Sequence, residues 1–276
     1  MRRYIDHRQQ EDASNATINR ELAALKRMFS LATKATPPKA NRVPAIPRLK
    51  ENNVRKGFLS DDQFERLADA CSQEGVWLRA MLEVGYTFGW RVSEVKRLRV
   101  RQVDLGGSRI LLDPGSTKNG QGRMVKFKPG SILAHLLQKC CTGKRGDDFV
   151  FTREDGSPVR DFRGAWARVC RIAGVGHKVC KVCGTEVDDG QSCPLCKVRR
   201  KFKELKAVGL LFHDLRRSAA RNARASGVAE GVIMRLGGWK TREVFDRYAI
   251  IAESDMEDAI NLIEARRAQV AATGGD

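Results

Sequence analysis

The stretch Leu236–Tyr248, LGGWKTREVFDRY, carries the reading on which the fold of this chain turns. Gly238, after Gly237, lets the backbone approach its neighbours closely, and Trp239 then stands nine positions before Tyr248. Upstream lie His213-Asp214-Leu215-Arg216 and, earlier, Arg91 within Gly89-Trp90-Arg91-Val92-Ser93-Glu94. A phenol, two guanidiniums, an imidazole and an indole N–H form a set suited to attack on a phosphodiester. Guanidiniums bind non-bridging phosphate oxygens in a planar fork, and smaller donors complete the cage. A tyrosine is a nucleophile that leaves a covalent bond to phosphorus. Taken singly, Arg91 reads as solvated surface, Tyr248 as a core tyrosine with a bonded hydroxyl, and His213 as the cap of a helix starting at Asp214. Their joint order favours chemistry.

The 276 residues suffice for one large domain and a small one. With 51 Lys+Arg against 33 Asp+Glu the formal net charge is +18. That excess points to a polyanion, with nucleic acid ahead of an acidic membrane surface, because no Lys-rich amphipathic helix with a bulky apolar face is visible. No segment reaches about eighteen consecutive apolar residues, and MRRYIDHRQQED lacks the apolar core of a secretory signal. A cytoplasmic, nucleoid-associated protein is expected. Its eight cysteines then read as thiols in a reducing compartment, some of them metal-bound.

Local patterns predict a mainly helical, α+β chain. Thr17 or Asn15 caps a first helix over 17–34, with Ile18, Leu22, Leu25, Phe29 and Ala32 on one face. Residues 36–57, with four prolines, read as an extended solvated linker. Ser60-Asp61-Asp62-Gln63 is a capping box that opens the second domain, followed by a core helix over 77–88. Val103, Ile110–Leu112 and Met124–Phe127 alternate between Gly-rich turns, which predicts a three-stranded antiparallel sheet with Lys118 between its second and third strands. Helices follow near 130–140, 161–173, 214–226, 228–236 and 241–249. The last runs from Ser254 to about Val270, with Ser254…Glu257 as capping box and Met256, Ala259, Ile260 and Ile263 as an apolar stripe. The domains expected are 1–50 and 56–270.

On these residues the chain resembles the tyrosine recombinase (phage integrase) family over roughly 58–265. Thr87-Phe88-Gly89-Trp90-Arg91-Val92-Ser93-Glu94 is similar to the first arginine box, and Ser116-Thr117-Lys118-Asn119-Gly120 to the lysine hairpin. Phe212–Arg217 resembles the second box, and Leu236–Trp239 with Arg247-Tyr248 the third. The helix at 17–34 and its linker resemble the end of a SAM-like core-binding domain. The resemblance implies that Arg91 and Arg216 clamp the scissile phosphate while His213 and Trp239 donate to it. Tyr248 attacks to give a 3′-phosphotyrosine, Lys118 protonates the departing 5′ oxygen, and Glu94 orients Arg91. Trp239 departs from the commoner histidine; an indole N–H donates and shuttles no proton. Fixed cationic donors stabilise the spread negative charge without a catalytic metal, and the covalent link conserves bond energy, so neither ATP nor another cofactor is required.

The implied activity is site-specific cleavage and rejoining of double-stranded DNA by a phage or other mobile-element integrase. It would self-associate on its sites, from dimer to tetramer synapse, with accessory DNA-bending proteins as further partners. Two other readings are a zinc-containing DNA-binding protein without chemistry and a type IB topoisomerase-like relaxing enzyme. In the resembling family the segment after the nucleophile docks on a neighbouring protomer. For the free monomer, packing of the terminal stripe on its own core is the expectation; on DNA, docking in trans.

Cys180-Lys181-Val182-Cys183 and Cys193-Pro194-Leu195-Cys196 form two C-x-x-C knuckles, a spacing that presents four sulfurs to a structural zinc. Redox use would need only one pair. His177 is an outside alternative ligand, and Cys71, Cys140, Cys141 and Cys170 have no such spacing. The element reads as an insertion at about 176–207, with a run of five basic residues in the seven from Lys197 to Lys203 after its knuckles.

Overall fold

The computed structural model describes residues 1–51, 58–115, 122–187, 193–196, 205–248 and 253–273. The chain divides into two compact units, Met1–Lys56 and Gly57–Asp276.

In the first unit α1 (Arg2–Gln10) packs on α2 (Asn15–Ala32). The cap of α2 is Ser14, whose hydroxyl accepts from Thr17 N–H, and not Thr17 or Asn15 as expected. Ile5, Ile18 and Leu22 make the small core. The expected solvated linker is a linker only in part. Asn19 donates to the Leu49 carbonyl at 2.8 Å and accepts from the Leu49 N–H at 2.8 Å, while Ile46 and Leu49 cover the α2 core. One amide side chain thus stands in for a strand partner and satisfies extended backbone. Helix α1 was not foreseen, since mostly polar residues show only Ile5 as an inward position. Tyr4, on the same helix, donates to Glu21 at 2.7 Å.

The second unit is built around α4 (Val76–Phe88), in which Leu78, Ala80, Met81, Leu82 and Val84 are all fully buried. A helix apolar over most of its circumference belongs in a core, and its two charged residues, Arg79 and Glu83, are paired with each other there. It packs against α3 (Asp61–Glu74), α6 (Ile132–Cys141) and α8 (Leu215–Ala225). Helix α3 opens on the expected capping box, with Ser60 and Gln63 exchanging hydrogen bonds. Tyr86 stacks on Phe64 at 3.9 Å, a packing role. Strands β1 (Val103–Asp104), β2 (Arg109–Leu112) and β3 (Arg123–Lys126) form the three-stranded antiparallel sheet, in the register Val103↔Ile110↔Val125. Lys118 falls between β2 and β3 in the sequence and outside the described residues.

Helix α5 (Val92–Lys96) follows the first arginine box, and α7 (Arg163–Ile172) brings Trp166 to Phe162 and Phe212, with ring centroids 6.4 and 5.1 Å away. This aromatic cluster fixes the segment just before His213. A second, unforeseen sheet pairs β4 (Gly176–Cys180) with β5 (Leu205–Gly209) and brackets the cysteine insertion. Its strands carry no alternation strong enough to read, because the ribbon is held by its ladder and by what lies at its tip. Helices α9 (Glu230–Gly237) and α10 (Arg242–Asp246) come next, α10 ending three residues before its expected limit. Helix α11 (Glu253–Thr273) begins one residue before the expected Ser254, whose side chain lies outside the described residues. Its stripe is exposed: Met256 58%, Ile260 58% and Ile263 48%. The packing on its own core expected for the monomer is therefore not found. Among the described residues no helix is long and apolar enough to cross a membrane.

Candidate active site

Three glycines allow the arginine boxes to converge. Gly85 faces α8 so closely that a Cβ there would lie 2.9 Å from Leu215 Cδ1 and 3.0 Å from Phe212 Cζ. Gly89 ends α4 in the left-handed region (φ 65°), and Gly238 ends α9 in the same way (φ 68°), conformations that disfavour any other L residue. At Gly237, beside them, a Cβ would lie 1.8 Å from the Trp239 ring. Only hydrogen fits there.

Arg216, on the first turn of α8, is 1% exposed. Its Nη1 donates to the Gly89 and Gly237 carbonyls, the latter at 2.7 Å, tying the first box to the third. Its guanidinium lies 3.9 Å from the Trp239 ring centroid and 5.3 Å from that of Tyr248. Burial, then the nearby charge of Arg91, pushes its pKa down to about 9. Its Nε and Nη2, together with Trp239 Nε1, are buried donors with no acceptor among the described residues. Such orphan donors are costly unless an anion meets them. A phosphate oxygen both satisfies the N–H groups and compensates the buried positive charge.

His213 sits in the turn Phe212–Asp214 that leads into α8, held where Asp214 accepts from the Leu211 N–H at 2.8 Å. It does not cap the helix. Its Nε2 meets the Tyr248 hydroxyl at 3.0 Å. Burial foremost, then the Arg216 charge, lowers the His213 pKa, while Asp214 opposes them. The neutral imidazole is thereby favoured, and a neutral nitrogen at hydrogen-bond distance from a phenol is placed to take its proton. The resemblance implies a donor to phosphate at this position; the geometry places the ring against the Tyr248 hydroxyl. Tyr248 packs beside the small core of Ala220, Ile233, Trp239 and Phe245.

Arg91 and Glu94 pair at 3.1 Å, with the carboxylate almost fully buried and Arg91 partly exposed. A further guanidinium, Arg123 at the start of β3, binds the other oxygen of Glu94 at 2.9 Å and lies over Trp90, 4.9 Å from its centroid. Sequence reading passed over Arg123. The signal was strand alternation, which puts it on the same face as the buried Val125. Trp90 also ties the boxes together, donating to the Leu236 carbonyl at 2.9 Å.

The four expected cysteines meet: the Sγ atoms of Cys180, Cys183, Cys193 and Cys196 all lie within 4.8 Å of one another. Individual separations are 3.5 Å for Cys180–Cys196, 3.3 Å for Cys183–Cys193 and 3.7 Å for Cys183–Cys196. Zinc–thiolate bonds of about 2.3 Å in a tetrahedron would set sulfurs about 3.8 Å apart, so the cluster is close to that size. Gly184 (φ 75°) shapes the first knuckle, donating to the Cys180 carbonyl. Hydrogen bonding with Thr185, then Cys193, pulls the Cys183 thiol down to about 6, towards the thiolate a metal requires. His177 is an exposed ladder residue opposite Val208 and not a member of the cluster. Cys71, Cys140, Cys141 and Cys170 are buried, and burial pushes the Cys71 thiol up to about 12. The basic run Lys197–Lys203 lies outside the described residues.

A mainly helical fold with a small antiparallel sheet is the architecture that known proteins share with this chain. The model described as the phage integrase family matches residues 57–184. A tyrosine recombinase XerD of Ralstonia nicotianae is 31% identical over 173 residues, 59% of this chain and 54% of that protein. The integrase of Salmonella phage P22 is 23% identical over 236 residues, 82% of this chain and 51% of that one. The chain spans about half the length of these curated relatives. Among solved structures, the Tn1549 transposon integrase in complex with circular intermediate DNA aligns over 94% of this chain and 82% of its own, with TM-score 0.60 and 14% identity. A lambda integrase dimer bound to a core site aligns over 86% and 76%, with TM-score 0.60 and 17% identity. Residues 57–184 thus match the phage integrase family model, and the fold is that of the integrases aligned above.

Proposed function

We propose that this chain is a site-specific DNA recombinase of the integrase type, which cleaves and rejoins duplex DNA through a 3′-phosphotyrosine. The observation that carries the reading is the convergence of the Tyr248 hydroxyl, His213 Nε2 and the orphan donors of Arg216 and Trp239. In the forward step the Tyr248 oxygen attacks phosphorus as His213 takes the phenolic proton. Arg91, Arg216 and Trp239 Nε1 stabilise the oxygens on which charge develops. The 5′ oxygen leaves with a proton from Lys118, because an alkoxide is a poor leaving group. The reverse step, with a 5′ hydroxyl from another strand, completes exchange and regenerates Tyr248.

The remaining assignments follow from that reading. The first unit is the end of a core-binding domain lying on DNA, in keeping with the net charge of +18. The protein works on the nucleoid in the cytoplasm, as DNA-bound dimers that pair into a tetramer. Its exposed α11 stripe packs on a neighbouring protomer. The four-cysteine cluster holds one structural zinc that folds the insertion and takes no part in cleavage. A duplex nicked near the cleavage site, carrying a core site found among inverted repeats flanking the gene, tests the central claim. A denaturant-resistant protein–DNA adduct should form with the unmodified chain and not with Tyr248→Phe; an adduct in the Phe variant would overturn the assignment.

A further inference from the structure

Glu94 is a single buried carboxylate shared by two guanidiniums. Its side chain is 2% exposed, and its oxygens are divided between the guanidiniums, Oε1 to Arg91 Nη1 at 3.1 Å and Oε2 to Arg123 Nη2 at 2.9 Å, with the Arg91 backbone N–H also donating to Oε2 at 3.3 Å. The division has a consequence for Arg91. A carboxylate with both oxygens free makes a two-point fork with one guanidinium, and a forked Arg91 would turn two of its donors away from any phosphate. Because Arg123 occupies Oε2, the Arg91 guanidinium is held by one contact with Glu94, and among the described residues its other side-chain donors are left for a ligand on the 20%-exposed side.

Arg123 is built in from three directions. Its side chain is 8% exposed and its guanidinium covers Trp90, the residue before Arg91. On its other side lies the turn of the third box: a Cβ at Gly238 would be 1.6 Å from Arg123 Nη1, so the guanidinium rests against the backbone immediately before Trp239. Burial favours the neutral form of Arg123, and Glu94 opposes that by charge and hydrogen bond, so the two groups depend on each other.

We infer that Arg123 is a positioning residue of the phosphate site: it takes half of Glu94 so that Arg91 presents its free donors to the scissile phosphate, and it props the turn that carries Trp239. The inference rests on the recombinase reading above. On this inference Arg123 acts through its contacts, the Glu94 carboxylate and the backbone at Gly238, and not on a reacting atom.

Cleavage of the nicked duplex under single-turnover conditions tests this with three variants. Arg123→Met should lower the cleavage rate about 10–10²-fold, the range for supports one step removed from a reacting group, with DNA affinity changed less than about threefold. Glu94→Gln alone should also slow cleavage. Combined, the two should cleave no more slowly than Arg123→Met, because a neutral amide cannot draw Arg91 into an ionic fork and the buried pair has been removed together. A double variant slower by the product of the two single losses would show independent contributions and overturn the inference. So would a normal rate for Arg123→Met. The double variant also answers misfolding: a fold lost on stranding Glu94 is regained when Glu94 is neutralised. Finally, a substrate whose 5′ leaving atom is sulfur needs little protonation to depart. If Arg123→Met cleaves it at the unmodified chain's rate, Arg123 serves the leaving-group acid instead and the inference fails. A chain that forms no adduct even unmodified would sink the recombinase reading, a result separate from each of these.

Discussion

The arginine boxes and the cysteine insertion are two regions of one unit held by opposite means. Around Arg216 every restraint is made by the chain itself: two carbonyls, a tryptophan face, and glycines where any Cβ would collide. At the tip of the β4–β5 ribbon the buried cluster among the described residues is Cys180, Val187 and Cys193, with Cys196 beside them. So small a core cannot offset the entropy of ordering its loops, and thiolates drawn together without a cation would repel. The first region is over-determined by packing; the second, on the reading proposed above, is held by a metal at the four cysteines. The difference teaches that the chain concentrates its packing restraints around the buried Arg216 guanidinium and places few of them at the cysteine cluster.

The comparison breaks most completely at Tyr248. Removal of its hydroxyl oxygen should abolish the covalent adduct while binding to a half-site, read by mobility shift, stays within about threefold, since affinity comes from many phosphate contacts. Arg216→Ala and Arg91→Ala come next, each costing about 10²–10³ in cleavage rate, by analogy with loss of a preorganised anion donor. Arg216→Ala should also lower the melting temperature, because it cuts the tie between the Gly89 and Gly237 carbonyls; Arg91→Ala should do so less. Normal cleavage by either would show that the clamp is wrongly placed.

In the insertion the expected effects are structural. Metal analysis should find about one zinc per chain, lost when Cys180 and Cys183 are both changed to Ser. The ribbon should then become sensitive to protease while the arginine boxes keep their protection from hydrogen exchange. Cleavage that stops at once on chelation, with the fold intact, would contradict a purely structural metal. A smaller effect sharpens the first region further. The lowered pKa of His213 means that the neutral ring predominates at neutral pH; if that ring accepts the Tyr248 proton as proposed, protonation switches it off. The dependence of kcat/KM on pH should therefore rise through an apparent value below the roughly 6.5 of a free histidine and level off above it. His213→Ala should lose that limb; a limb unchanged in the variant would assign the titration to another group. Smallest for a single subunit is truncation after Ala252. Half-site binding should persist and cooperative filling of a full site should be lost. Retained cooperativity would remove α11 from the assembly contacts.

Much of this was legible because the chemistry demands particular residue types, and their order along this chain resembles that of a known family. The boxes, the three-stranded sheet and the paired C-x-x-C knuckles could be read from spacing alone, since alternation, capping and metal-ligand geometry are local rules. Helix α1, the β4–β5 ribbon and the return of residues 46–51 onto Asn19 could not. Their stability comes from partners distant in sequence, and their own patterns are weak.

By itself the sequence determined which groups could act: a phenol, an imidazole, an indole, guanidiniums and four thiols are written in the chain. Only the tertiary structure decided their relations. It turned His213 to the Tyr248 hydroxyl, left Arg216 and Trp239 with unmet donors, split Glu94 between Arg91 and Arg123, and exposed the α11 stripe. The physical reason is that hydrogen bonds and desolvation act over a few ångströms of space. Residues 29 positions apart in the chain, such as Glu94 and Arg123, share a carboxylate only once the fold has carried them there.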